Sequence, residues 1–263
     1  MNDSSPNPPP LPSDEGPAAV STSRPLGMLA EDTFEIRGGL GAIEALLRHP
    51  RRIVFHLHQA RPGRLIAIMV TISLVCALTY GLIVGTFSGG TQLWAAPAKI
   101  AVGMVFSALI CLPSLYIFAC LGGSLARPVE VVGAVAGLMT LTTLLLIGFA
   151  PVAWLFSESI DSVAAMGCLH LVFWIVAVAF GVRFLKAVFR HLGIRSETGV
   201  SVWVLVFLLV SAQMTTALRP LVGTADEFLP HEKKFFLTHW MDNMREADTH
   251  APGNNVESRD GGR

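Results

Sequence analysis

Charge is scarce in this sequence. Only 14% of its 263 residues are charged and 52% are hydrophobic, where a soluble domain carries about 25% charged residues. That deficit excludes an ordinary soluble α/β enzyme and excludes disorder over most of the chain. Nineteen Lys and Arg balance nineteen Asp and Glu, so there is no basic surplus to form a nucleic-acid-binding face. The four cysteines, Cys76, Cys111, Cys120 and Cys168, form no C-x-x-C pair and fall inside apolar runs, where a thiol packs as a small hydrophobe. The chain also lacks H-E-x-x-H, G-x-S-x-G and G-x-x-x-x-G-K-[ST], the spacings that metal hydrolysis, serine catalysis and phosphate cradling require. The reading is therefore non-enzymatic, with no catalytic residue, no metal and no cofactor. No basic-then-apolar secretory leader stands at the start.

What the chain has instead is long apolar runs, with a mean hydropathy of +0.57. No Lys, Arg, Asp or Glu occurs between Arg64 and Lys99. That stretch is too long for one span and is broken by Gly85, Ser88, Gly89, Gly90 and Thr91. Spans are predicted at about 65–87, 96–121, 131–154, 162–182 and 199–218, each near the roughly 20 residues that a bilayer core demands. The fold class is all-α: a polytopic helical membrane bundle of five transmembrane helices and two interfacial amphipathic helices.

The flanking segments complete the domain plan. Residues 1–33 begin with a stretch holding seven of the sixteen prolines before residue 26, a composition that cannot bury enough surface to order itself. They are predicted to be a disordered cytoplasmic tail. Within 34–63, Ile36, Leu40, Ile43, Leu46 and Leu47 recur at helical spacing, Pro50 closes the run, and Arg51, Arg52, Arg61 and Arg64 follow. A helix apolar on one face with arginines crowding its end lies at a membrane interface or packs under the bundle. After the five-span domain at 64–220, Phe235, Phe236, Trp240 and Met244 mark a second interfacial helix region at 221–248. Residues 249–263 read as a disordered tail.

Loop charges set the orientation. Arg48, Arg51, Arg52, Arg61 and Arg64 precede the first span, and Arg183, Lys186, Arg190 and Arg195 follow the fourth; the loop after the third is acidic, with Glu158 and Asp161. Basic loops stay cytoplasmic, so the N-terminus is cytoplasmic and the C-terminus outside, with a bacterial inner membrane as the setting. Trp94 and Trp154 then fall at the outer interface and Trp203 at the inner one.

Ionisable and polar groups inside a membrane are the functional suspects. Lys99, Glu158, Asp161, Gln213 and Arg219 are predicted near one depth at the outer boundary, as a structural clasp or as the lining of a binding pocket. His170 is the deepest intramembrane polar residue, bonded to a carbonyl or hydroxyl of another helix or serving as a relay. Glycines four apart (Gly81, Gly85 and Gly89; Gly133 and Gly137) predict close helix approach within the bundle or at an oligomer face. Pro113 is expected to kink the second span near mid-membrane.

The run Gln213-Met214-Thr215-Thr216-Ala217-Leu218-Arg219-Pro220-Leu221-Val222-Gly223 resembles a motif at the end of the last span in a family of uncharacterised bacterial multi-pass inner-membrane proteins. Leu112-Pro113-Ser114-Leu115-Tyr116 and Ala150-Pro151 are similar to that family too, so the resemblance covers about residues 64–223. It implies a topology and no activity. A weaker likeness is to the Yip-type five-span membrane proteins, whose acidic-Leu-Tyr-Gly-Pro signature this chain lacks. The function expected is a structural or accessory membrane subunit in contact with the lipid bilayer, binding a protein partner, a lipid or a second copy of itself. The alternative is a small transporter or channel component with a polar site at the outer boundary.

Overall fold

A computed structural model describes residues 26–59, 61–88, 90, 92–159, 163–194 and 196–217 of the chain. The described residues form eight helices: α1 (Ala30–Thr33), α2 (Gly38–Arg48), α3 (Pro50–His58), α4 (Gly63–Ser88), α5 (Gln92–Leu121), α6 (Pro128–Ser157), α7 (Val163–His191) and α8 (Thr198–Ala217). Four of them, α4 to α7, are long and apolar enough to cross a membrane, and Thr198–Met214 of α8 is a shorter apolar helix. The tail helix expected at 221–248 lies outside the described residues.

Helix α6 is the axis of the bundle. Its apolar window is 72% buried, against 28% for α4, α5 and α7, and it packs on α4 and α7 while α8 rests against α5. With no hydrophobic drive between helices in lipid, contact requires small residues and satisfied polar groups, and the sequence supplies both. A Cβ added at Gly81 of α4 would meet Pro97 Cα of α5 at 2.5 Å, so the two backbones touch there. Gly137 of α6 receives the ring of Phe184 from α7, and Gly181 of α7 faces Leu138 and Thr142 of α6. Thr140 Oγ1 donates to the carbonyls of Met69 on α4 (2.8 Å) and of Ala136 (2.7 Å). Gly81, Gly133 and Gly137 are thus used inside the bundle, while Gly89 lies outside the described residues.

These contacts fix the helices against one another. Thr140 lies twelve residues into α6 and Met69 six residues into α4, so α6 starts about 9 Å beyond α4. The space that α4 leaves beside the first turns of α6 is occupied by α3. Pro50 ends α2 and opens α3 as its first residue, where its missing N–H costs nothing. Ala42, Ala45 and Leu46 of α2 and Ile53, Val54 and Leu57 of α3 are buried, facing α4, α6 and α7. Leu57 fills the notch at Gly133. Much of the apolar face expected at an interface is thus covered by the bundle itself, although Leu40 and Leu47 remain exposed.

The same register moves two residues. Gly81 beside Pro97, and Ser73 beside Met104, run α4 and α5 antiparallel, which sets Pro113 level with the start of α4 rather than mid-span. Helix α5 continues through it. Two residues before Pro113, the Cys111 carbonyl accepts from Ser114 Oγ at 2.7 Å and from Trp203 Nε1 at 2.8 Å. Trp203 is therefore a buried tie between α8 and α5, stacked on Phe207, and not part of an exposed aromatic rim. Trp94 and Trp154 are exposed at the opposite end of the bundle.

Gly81→Ala should lower the melting temperature by several degrees, a cost of about 1–3 kcal/mol for overpacking against backbone. Gly148→Ala, which meets nothing within 4 Å, should leave it unchanged. Equal melting temperatures for both variants in detergent would contradict this packing.

Candidate functional site

Two polar groupings stand out, one toward each end of the bundle. Toward the end marked by Trp94 and Trp154, Tyr80 of α4 and His170 of α7 meet edge to face, with ring centroids 5.7 Å apart and Tyr80 Oη 2.8 Å from His170 Nδ1. They sit in an apolar cluster with Val84, Leu146, Ala150, Ala153, Phe173 and Ala177. His170 Nε2 is buried without a hydrogen-bond partner among the described residues. Whichever tautomer the ring adopts, that nitrogen is a donor or an acceptor left unsatisfied, which typically costs about 1–3 kcal/mol. Sequence reading singled out His170 and passed over Tyr80, one of only two tyrosines. A lone hydroxyl-bearing aromatic inside an apolar run was the signal available.

Lys99 belongs to this level. It lies seven residues into α5, about 10 Å from the start of the helix, and is only 1% exposed. The Gly81–Pro97 contact puts it within a turn of Tyr80. Gln213, ten residues beyond Trp203 on α8, falls at the height of the same part of α5, and its Oε1 is buried without a partner among the described residues. Between α4 and α6 at this height an apolar groove of about 300 Å³ is lined by Thr79, Ile83, Ile147, Ala150, Pro151 and Trp154.

Glu158 does not join this layer. It is the residue that ends α6 and is exposed. By the α4–α6 register it stands about 12 Å from the level of Lys99. Asp161 and Arg219, the other two members of the expected cluster, lie outside the described residues. So do the histidines His231, His239 and His250.

The second grouping, at the end where α4 begins, was not anticipated as a site. Glu130, in the first turn of α6, is 1% exposed. Its Oε2 accepts the Arg127 amide at 2.8 Å, Oε1 accepts from Arg127 Nε at 3.0 Å, and His58 Nδ1 of α3 lies 2.8 Å from Oε1. Arg127 Nη2 also donates to the carbonyls of Leu57 (3.3 Å) and His58 (2.9 Å), at the end of α3. A carboxylate at a helix N-terminus is favoured by the dipole, and here it also holds the arginine that caps α3. Further out, Arg51 pairs with the buried Asp32 at 3.5 Å, and Arg52 donates to the carbonyls of Phe34 and Glu35, both at 2.7 Å. Nearby, Arg37 holds the Glu35 carboxyl below the usual carboxylate range through its hydrogen bond and charge.

No protein-family model, curated protein or solved structure matches this chain.

Tyr80→Phe and His170→Asn should each destabilise the bundle, and their double-mutant cycle should show a coupling of about 0.6 kcal/mol, the average for interhelical hydrogen bonds in membranes, and no more than about 1.7 kcal/mol. Additive effects in a detergent unfolding titration would remove the bond.

Proposed function

We propose that the chain is a five-span integral membrane protein acting as a non-enzymatic structural or accessory subunit. In this reading α8 is the fifth span, the end where α4 begins is cytoplasmic, the C-terminus lies outside, and the setting is a bacterial inner membrane. One observation carries the functional reading: the polar groups described within the bundle are largely committed to ties between its own elements. Tyr80 is engaged with His170, Trp203 with Cys111, Thr140 with Met69, and Arg127 and Glu130 with α3. A bundle so tied presents a fixed shape to a partner protein, a lipid or a second copy of itself. The likeness of the Gln213–Gly223 run to multi-pass inner-membrane proteins supports the same topology; most of that run lies outside the described residues.

A second reading, a small transporter or channel component, draws on the layer of Tyr80, Lys99, His170 and Gln213, because two buried polar atoms there have no hydrogen-bond partner among the described residues. The apolar lining of the adjoining groove favours the first.

Affinity purification of the tagged full chain from its native membrane, with mass spectrometry of what co-elutes, tests the proposal. A stoichiometric protein or lipid, with no solute uptake by reconstituted vesicles, is expected. Vesicles that accumulate a solute, with uptake lost in Lys99→Met, would transfer the assignment to the transporter.

A further inference from the structure

The face of α7 that points away from α6 carries one continuous stripe. At 100° per residue, Val172, Val176, Ala179, Arg183, Lys186 and Arg190 fall within a sector of about 80°. All are exposed except Lys186, which is half-buried. The opposite face, with Phe173, Ala177, Phe184, Leu185 and Val188, is buried. The stripe is apolar over its first half and basic over its second.

Its height follows from the packing already described. Gly181 faces Leu138 and Thr142 on α6, and Thr140 bonds Met69 on α4. Three residues of helix separate Arg183 from Lys186, so Lys186 lies level with Arg64, and Arg183 about one turn further into the apolar belt. The three cations differ in what they hold. Arg190 is hydrogen-bonded to Glu197, whose carboxyl it keeps below the usual range, with Lys186 adding a smaller effect. Arg183 has no carboxylate partner among the described residues. An exposed guanidinium at this depth has its charge poorly screened by water and calls for an anion. Its long side chain reaches back to the headgroup layer, where the anion a bilayer supplies is a lipid phosphate, and the apolar half of the same stripe continues in the direction an acyl chain takes.

We infer that the α7 stripe binds one anionic glycerophospholipid, with its phosphate on Arg183 and Lys186 and an acyl chain along Val172, Val176 and Ala179. This rests on the membrane-spanning reading of α7 above, and names a lipid partner for it.

The test is native mass spectrometry of the full chain in mild detergent with phosphatidylglycerol or phosphatidylcholine of the same acyl composition. The wild type should retain phosphatidylglycerol in clear preference. Arg183→Gln should weaken that retention about fivefold, and Arg183→Gln with Lys186→Gln about 25-fold, since each basic group near a membrane surface contributes about a factor of five. Arg183→Lys, and Arg48→Gln on the exposed surface of α2, should stay within about twofold. A double variant with the wild-type preference overturns the site. Glycerol phosphate displacing the lipid at equal concentration overturns the lipid assignment in favour of a simple anion site. Carbonate extraction of the expressing membranes separates the two levels: a chain released by carbonate ends the membrane-spanning reading, whereas an integral chain without lipid preference ends this inference alone.

Discussion

The burial of the Glu130 carboxylate is the constraint on which the arrangement turns. A carboxylate in a low-dielectric setting is costly unless it is both paired and hydrogen-bonded. Glu130 meets that demand with the Arg127 amide and guanidinium from its own helix and with His58 from α3. His58 comes from outside α6, so the buried carboxylate gains this partner only when α3 is docked. Arg127 doubles the coupling by capping the carbonyls at the end of α3. One ionised group thereby ties the amphipathic segment to the central helix of the bundle.

That tie explains how a short segment becomes part of the core. Helix α4 begins about 9 Å short of α6, which leaves the glycine notch at Gly133 open. Leu57 closes it, and Ile53 and Val54 fill the neighbouring space. The larger of the two apolar clusters accordingly gathers residues of α2 and α3 together with those of α4 to α8, while the smaller cluster near Tyr80 and His170 draws on α4 to α7 alone. Among the described residues, the larger cluster lies at the end that carries most of the arginines.

Much of this could be read from the residues. Apolar length and the charged gaps between runs place α4 to α6 within a few residues, because hydropathy over 20 positions averages out local detail, whereas α7 continues nine residues past its predicted end at 182, through Arg183, Lys186 and Arg190 to His191. The spacing of Gly81, Gly133 and Gly137 announced close approach. What stayed hidden is relative height. Pro113, Trp203 and Lys99 were set in depth from the ends of their own runs, whereas real depth depends on how far each helix slides along its neighbours, a property of pairs such as Gly81 with Pro97. Glu130 looked like a boundary marker for the same reason: nothing local to Arg127-Pro128-Val129-Glu130 indicates that a helix some 70 residues earlier brings His58 to it. The Tyr80–His170 bond spans 90 positions and is equally invisible to local pattern.

Helix α3 is a packed element of the bundle, locked on α6, and not a helix free in the headgroup layer. Engineered disulfide formation between positions 57 and 133 tests it most directly. The full chain in native membranes, with its four cysteines replaced and carrying Leu57→Cys with Gly133→Cys, should cross-link under mild oxidation, and adding Glu130→Gln should slow that reaction markedly. Two thiols that stay free and label readily from the aqueous side, with or without Glu130, would contradict the account.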